Sequence, residues 1–146
     1  MRVYLDTSAI VKRYVSESGS KQIDDIFIRS SSGADFIVLS YWNIGEAAVV
    51  FNKMSRKMKG HSEIETMSLM LNEFLDLARL QSISIIDVSQ VLIRAAIGFV
   101  FKHHIYIADA LQIAVAKSES VDLFISADGK LIEAASNEGL RTLYVK

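Results

Sequence analysis

The chain has no cysteine, which excludes a disulfide framework, a thiolate metal site and a cysteine nucleophile. It also lacks an excess of one charge: 16 Lys and Arg stand against 17 Asp and Glu, for a net charge of −1. That balance argues against a protein that grips nucleic acid through overall positive charge, although a local basic patch is still compatible with it. Every apolar run is broken by charge well before bilayer-spanning length. A strand is predicted at Arg2-Val3-Tyr4-Leu5, which leaves no room for a signal peptide, so a cytoplasmic protein with no membrane segment is the expectation. There is no internal repeat, linker or low-complexity tail. What is plentiful is apolar surface. The chain is 51% hydrophobic, with a mean hydropathy of +0.28. For a single domain over residues 1–146 with one core, this implies either an unusually large core or apolar surface covered by a partner.

Strands and helices alternate along the chain. Short β-branched runs predict strands near 2–5, 36–40, 83–87, 123–126 and 142–145, with Val38, Ile85, Ile86, Ile125 and Val145 supplying the strand character. These runs are apolar rather than alternating, as expected of strands buried on both faces. Helices are predicted over 8–15, 19–30, 42–58, 62–81, 88–103, 106–118 and 129–138. Ala47, Val50, Met54 and Met58 recur at helical spacing in the third, and Met67, Met70, Phe74 and Leu77 in the fourth. Gly60 and Gly139 lie where helices should stop. The alternation predicts an α/β fold with a mostly parallel five-stranded sheet flanked by helices on both faces.

Four acids stand out against this apolar background: Asp6, Glu46, Asp109 and Asp128. Asp6 ends the first strand and Asp128 lies just past the fourth. Asp109 sits among apolar residues near a helix start, and Glu46 lies one to two turns into the helix after the second strand. Parallel α/β sheets place their sites beyond the carboxyl ends of the strands, so all four acids can share one rim. Each also has a plainer explanation. Asp6 and Asp128 are good helix caps, Asp109 suits a helix dipole, and Glu46 can be a solvated helix residue. The case rests on the set of four, since carboxylates are rarely buried unless paired or bound to a metal.

The segments around these acids resemble the motifs of the PIN-domain ribonucleases. Asp6-Thr7-Ser8-Ala9-Ile10-Val11-Lys12 looks like the opening motif. Glu46 in Ser40-Tyr41-Trp42-Asn43-Ile44-Gly45-Glu46-Ala47 matches the second acid. Asp109-Ala110-Leu111-Gln112-Ile113-Ala114 resembles the third motif, and Ser126-Ala127-Asp128-Gly129-Lys130-Leu131 the fourth. The ordered set spans residues 2 to about 145, and each motif alone is unspecific. One departure is Gln112, where many members carry His. The resemblance implies a three-layer PIN-like fold and an endoribonuclease that hydrolyses RNA phosphodiester bonds. Because many small single-domain members are toxins, it also implies a homodimer and a cognate antitoxin that blocks the cleft.

The residues themselves agree with that chemistry. Four carboxylates in a partly desolvated cleft repel one another unless a cation joins them. An all-oxygen set without Cys or clustered His favours Mg²⁺ or Mn²⁺ over Zn²⁺. Asp6 and Asp109 are the expected direct ligands. Asp128 either completes the sphere or holds a second ion, and Glu46 either binds through water or orients the attacking hydroxide. Ser8 and Ser126 are expected to hydrogen-bond the ligands from behind. RNA also needs a basic rim, for which Lys12 and Arg13, and Lys53, Arg56 and Lys57 with Lys59, are the candidates, with Lys130 beside Asp128. The 53–59 cluster equally fits a helix C-terminus that favours positive charge, as do His103 and His104. Three other classes compete: a haloacid-dehalogenase-like phosphatase, disfavoured because its second acid would fall on Ser8; a PIN-like module that binds without catalysis; and an RNA-processing nuclease with no antitoxin.

Overall fold

Strands that are mostly apolar rather than alternating need cover on both faces, and the two-residue period of a strand assigns each side chain to one of them. The computed structural model describes residues 1–146. It contains β1 (Arg2–Leu5), β2 (Phe36–Ser40), β3 (Ile83–Ile86), β4 (Leu123–Ser126) and β5 (Thr142–Tyr144). These form one sheet in the order β3-β2-β1-β4-β5, with every neighbouring pair parallel. Seven helices make the crossovers: α1 (Thr7–Ile10, continued by a 3-10 turn at Val11–Arg13), α2 (Ser20–Ser31), α3 (Tyr41–Lys57), α4 (Glu63–Arg79), α5 (Gln90–His103), α6 (Ile107–Ser118) and α7 (Gly129–Asn137). No single helix is long and apolar enough to cross a membrane.

The sheet divides the apolar interior in two, where the composition led us to expect a single core. Val3, Leu5, Ile37, Leu39, Ile83, Leu123 and Ile125 face a cluster completed by Ile23, Phe27, Phe51, Met70, Phe74 and Leu77 from α2, α3 and α4. Tyr4, Val38 and Phe124, at the intervening strand positions, face a second cluster with Leu92, Ala96, Leu111, Ile113 and Leu131 from α5, α6 and α7. Tyr4 and Phe124 stack across β1 and β4 with centroids 5.2 Å apart. Helix α6 is buried at eight of its twelve positions, and its four alanines let it lie close to the sheet and to α5.

The structure adjusts the sequence reading at particular points. In α3 the buried stripe is Asn43, Ala47 and Phe51, while Met58, expected inside, is the C-cap and 51% exposed. Helix α5 begins at Gln90 and not at 88 because the Ser89 hydroxyl accepts from the Leu92 amide at 3.3 Å and caps it. Gly139, just past the C-cap of α7, has φ +84°, the left-handed turn that ends a helix and that glycine tolerates best. Much apolar surface stays outside. Ile64, Leu69 and Leu75 of α4, Val91 and Phe101 of α5, and Tyr106 are all more than half exposed.

Candidate active site

The strand order reverses around β1. The chain steps from β1 to β2 and β3 on one side, then returns to place β4 and β5 on the other. Such a switch point leaves a crevice beyond the carboxyl ends of the two strands that flank it. Asp6 follows β1 and is 2% exposed; Asp128 lies just past β4 on the neighbouring strand.

Asp6 is held rigidly. Ser8 Oγ donates to its carboxylate at 2.7 Å, Ser126 Oγ donates to Oδ2 at 2.7 Å, and the Ala9 amide donates to Oδ1 at 2.8 Å, so Asp6 also caps α1. The serines are themselves fixed, because the Ala127 amide donates to Ser8 Oγ and the Asp128 amide to Ser126 Oγ. Burial nevertheless dominates. It raises the Asp6 pKa to about 6, against the lowering effect of Ser126, Ser8 and Ala9, and the charge of Asp128 adds to the rise. Asp109, in the first turn of α6, is likewise raised to about 6, first by desolvation and then by the charges of Asp128 and Glu46. The charge of Asp128 thus acts on both Asp6 and Asp109, and that of Glu46 on Asp109. None of them takes part in an ion pair.

Beneath the acids lies a polar network that the sequence reading missed. Asn43 is fully buried. Its Oδ1 accepts from the Tyr4 hydroxyl at 3.1 Å and from the Ser40 amide and hydroxyl at 2.8 and 2.9 Å. Its Nδ2 donates to Thr7 Oγ1 at 3.0 Å and to Gln112 Oε1 at 2.8 Å. Thr7 passes the chain on by donating to Glu46 Oε2 at 2.6 Å, and Gln112 Nε2 reaches the same oxygen at 3.5 Å. Gln112, one turn past Asp109, thus links α6 to Glu46. The signal was available in the sequence, since Asn43 falls on the buried stripe of α3 with Ala47 and Phe51, and a polar group there must be satisfied. Its partners could not be named without the fold.

Two sets of expected residues have partners within the fold. The Asp128 side chain is turned to α7, where Oδ1 accepts from the Lys130 and Leu131 amides at 2.8 and 3.2 Å. No three His, Asp or Glu side chains converge closely enough to hold a metal ion in this arrangement. Asp6 is tied to two serines and Asp128 to a helix terminus. In charge and donor type the set still fits a hard divalent cation: oxygen ligands only, and two carboxyls raised by burial and mutual repulsion. The basic candidates also separate. Lys12 is buried, and its Nζ donates to Ser18 O and Glu17 Oε1. Arg13 bridges Asp24 and Glu73, each at 2.7 Å. Both are thus paired with acids of this chain. Lys53, Arg56 and Lys57 are exposed at the end of α3.

A family model described as PIN domain matches residues 3–137. The chain belongs to the PIN domain family. No curated protein is similar enough in sequence to match. Solved PIN structures share the fold at low identity. VapC20 of Mycobacterium tuberculosis, described as a sarcin–ricin loop cleaving toxin, has a TM-score of 0.68 at 15% identity, over 94% of this chain and 95% of that one. VapBC2 of Rickettsia felis, bound to a promoter DNA fragment, has a TM-score of 0.65 at 16% identity over the whole of both chains. FitAcB of Neisseria gonorrhoeae has a TM-score of 0.59 at 16% identity, over 97% and 96%.

Proposed function

We propose that this PIN domain is a divalent-metal-dependent endoribonuclease and the toxin of a toxin–antitoxin pair. The observation that carries the reading is the acid rim itself: buried Asp6 and half-buried Asp109 are pushed up to about 6, and no side-chain cation neutralises them. Asp6 and Asp109 would hold Mg²⁺ or Mn²⁺, which when bound supplies an activated water and neutralises phosphate charge. Ser8, Ser126 and the Ala9 amide hold the Asp6 carboxylate in one orientation. Thr7 holds Glu46 Oε2 and leaves Oε1 without a protein donor, the oxygen suited to taking the proton of an attacking water. Asp128 adds negative charge beside both ligands. Lys53, Arg56 and Lys57 extend along α3 from Glu46 and would contact the RNA backbone. The toxin assignment is supported by the family and by the fold neighbours, among them a toxin–antitoxin complex from Klebsiella pneumoniae. The exposed apolar residues of α4 and α5 are the surfaces we assign to a second copy and to a small antitoxin.

One observation favours a second reading. The acids do not converge three at a time, as expected of a PIN module that binds without cutting. Purified wild type and Asp109→Asn, incubated with single-stranded RNA and Mg²⁺ or Mn²⁺, separate the two. The nuclease reading requires cleavage by wild type only, stopped by EDTA. Equal cleavage by both proteins refutes the site, and failure of both ions to bind wild type in calorimetry counts against catalysis and for the silent module.

A further inference from the structure

Next to the acid rim is a surface that the proposed chemistry does not use. Tyr41, Trp42, Gly45, Val49 and Val88 line an open cavity of about 420 Å³, and its remaining wall is Glu46. Tyr41 is 56% exposed, Trp42 43%, Val49 66% and Val88 37%. Tyr41 and Trp42 stand in the first turn of α3, and Trp42 lies one turn before Glu46 on the same face. A tryptophan left this exposed beside another aromatic forgoes burial, and such a patch at the mouth of a cleft marks a binding surface. The lining is apolar and aromatic, and the Glu46 side chain, whose Oε2 is held by Thr7, stands at its edge.

We propose that this cavity is a nucleobase subsite, in which Trp42, flanked by Tyr41, stacks on a base next to the scissile phosphodiester of single-stranded RNA. The inference rests on the ribonuclease reading and adds the recognition element that reading lacks. Continuity with the acid rim decides the occupant. Glu46 belongs to both, so a phosphodiester held at the acids has a neighbouring nucleotide beside this wall. Unstacked bases are flat and apolar on both faces, and aromatic side chains bind them with little regard to sequence. The subsite is also the attractive surface that a cleft of carboxylates needs, since the acids repel the backbone.

Trp42 is the single tryptophan of the chain, so tryptophan emission, excited selectively over the five tyrosines, reports on this position alone. The full-length Asp109→Asn protein is titrated in Mg²⁺ with a dye-labelled oligouridylate, an oligoadenylate, and an abasic oligoribonucleotide of the same length. Dye anisotropy follows binding, and tryptophan emission is read on unlabelled oligomers. We expect both base-bearing oligomers to quench Trp42, and the abasic one to bind more weakly by about 5- to 150-fold, the loss of one base–aromatic contact. Trp42→Phe, which keeps a ring, should retain most of the affinity that Trp42→Ala loses. The abasic arm needs no change at Trp42 and stands even if Trp42→Ala misfolds. Saturating anisotropy with unchanged tryptophan emission, equal affinity for abasic and base-bearing RNA, or no RNA binding at all overturns the subsite. The ribonuclease reading fails separately, through RNA shortening that wild type and Asp109→Asn share. If Trp42 is quenched while wild type cuts nothing, the subsite stands as part of a binding module.

Discussion

Without metal, this protein should be more stable in mild acid than at neutral pH. Asp6 has a pKa of about 6 in the fold against 3.8 for an unperturbed carboxyl. Between those values the native state binds the proton and the unfolded chain does not, so stability rises as pH falls through about 6 and levels off near 3.8. For Asp6 alone, moving from about pH 7.5 to about pH 5 adds about 1.4 kcal/mol. Asp109 acts in the same direction with less weight, because it is only half-buried and solvent screens it. Glu138 acts the opposite way. Burial pushes it up, but Lys102, His103 and Lys117 outweigh that and hold it at about 2. Its contribution is lost only below its unperturbed 4.5, outside the window tested. The measurement is thermal unfolding in chelator at the two pH values, for wild type and Asp6→Asn. A gain of 1.4 kcal/mol corresponds to a rise of about 3–6 °C for a domain of this size. The part that disappears in Asp6→Asn isolates the carboxyl, because every other titrating group is common to both proteins. Saturating Mg²⁺ should then raise the neutral-pH melting point, by about 2.7 kcal/mol at a hundredfold excess over Kd, and abolish the acid preference, since a cation favours the ionised acids. The same pH slope in Asp6→Asn and wild type would refute the claim that burial at the carboxyl end of β1 strains this carboxylate.

Three further outcomes are expected. Thr7→Val removes the hydroxyl that links Asn43 to Glu46; it should cost about 1–3 kcal/mol in urea unfolding and lower RNA cleavage with the fold intact, and unchanged cleavage would show that Glu46 needs no positioning. Phe74→Ala opens the cluster between α2 and α4, where Phe74 stacks with Phe27 at 6.4 Å, and should cost about 3–5 kcal/mol by the same measurement. Changing Lys53, Arg56 and Lys57 together to Glu should weaken RNA binding and flatten its salt dependence by about 2 units of log–log slope, whereas the same triple change at exposed α4 positions should leave the slope alone.

Local chemistry determined much of this protein. Short apolar, β-branched runs alternating with helices pointed to parallel strands, so the five strands were legible to within a residue or two, including the edge strands β3 and β5. Helical spacing gave Met70, Phe74 and Leu77 to the buried face of α4. The ordered motifs around Asp6, Glu46, Asp109 and Asp128 were enough to point to the PIN family. The tertiary structure decided how each charged or polar group is used. Lys12 and Arg13 look like a basic rim in one dimension, but Glu73 lies 60 residues beyond Arg13, and only the packing of α4 against the turn after α1 brings the two together. Asn43 and Gln112, 69 residues apart, meet in the same way beneath Glu46. Asp128 could cap α7 or face the cleft, and its carboxylate turns to the helix amides. Hydrophobic periodicity is written in neighbouring residues. The partner of a buried charge or amide is set by chain segments far apart in sequence, so only the folded chain can name it.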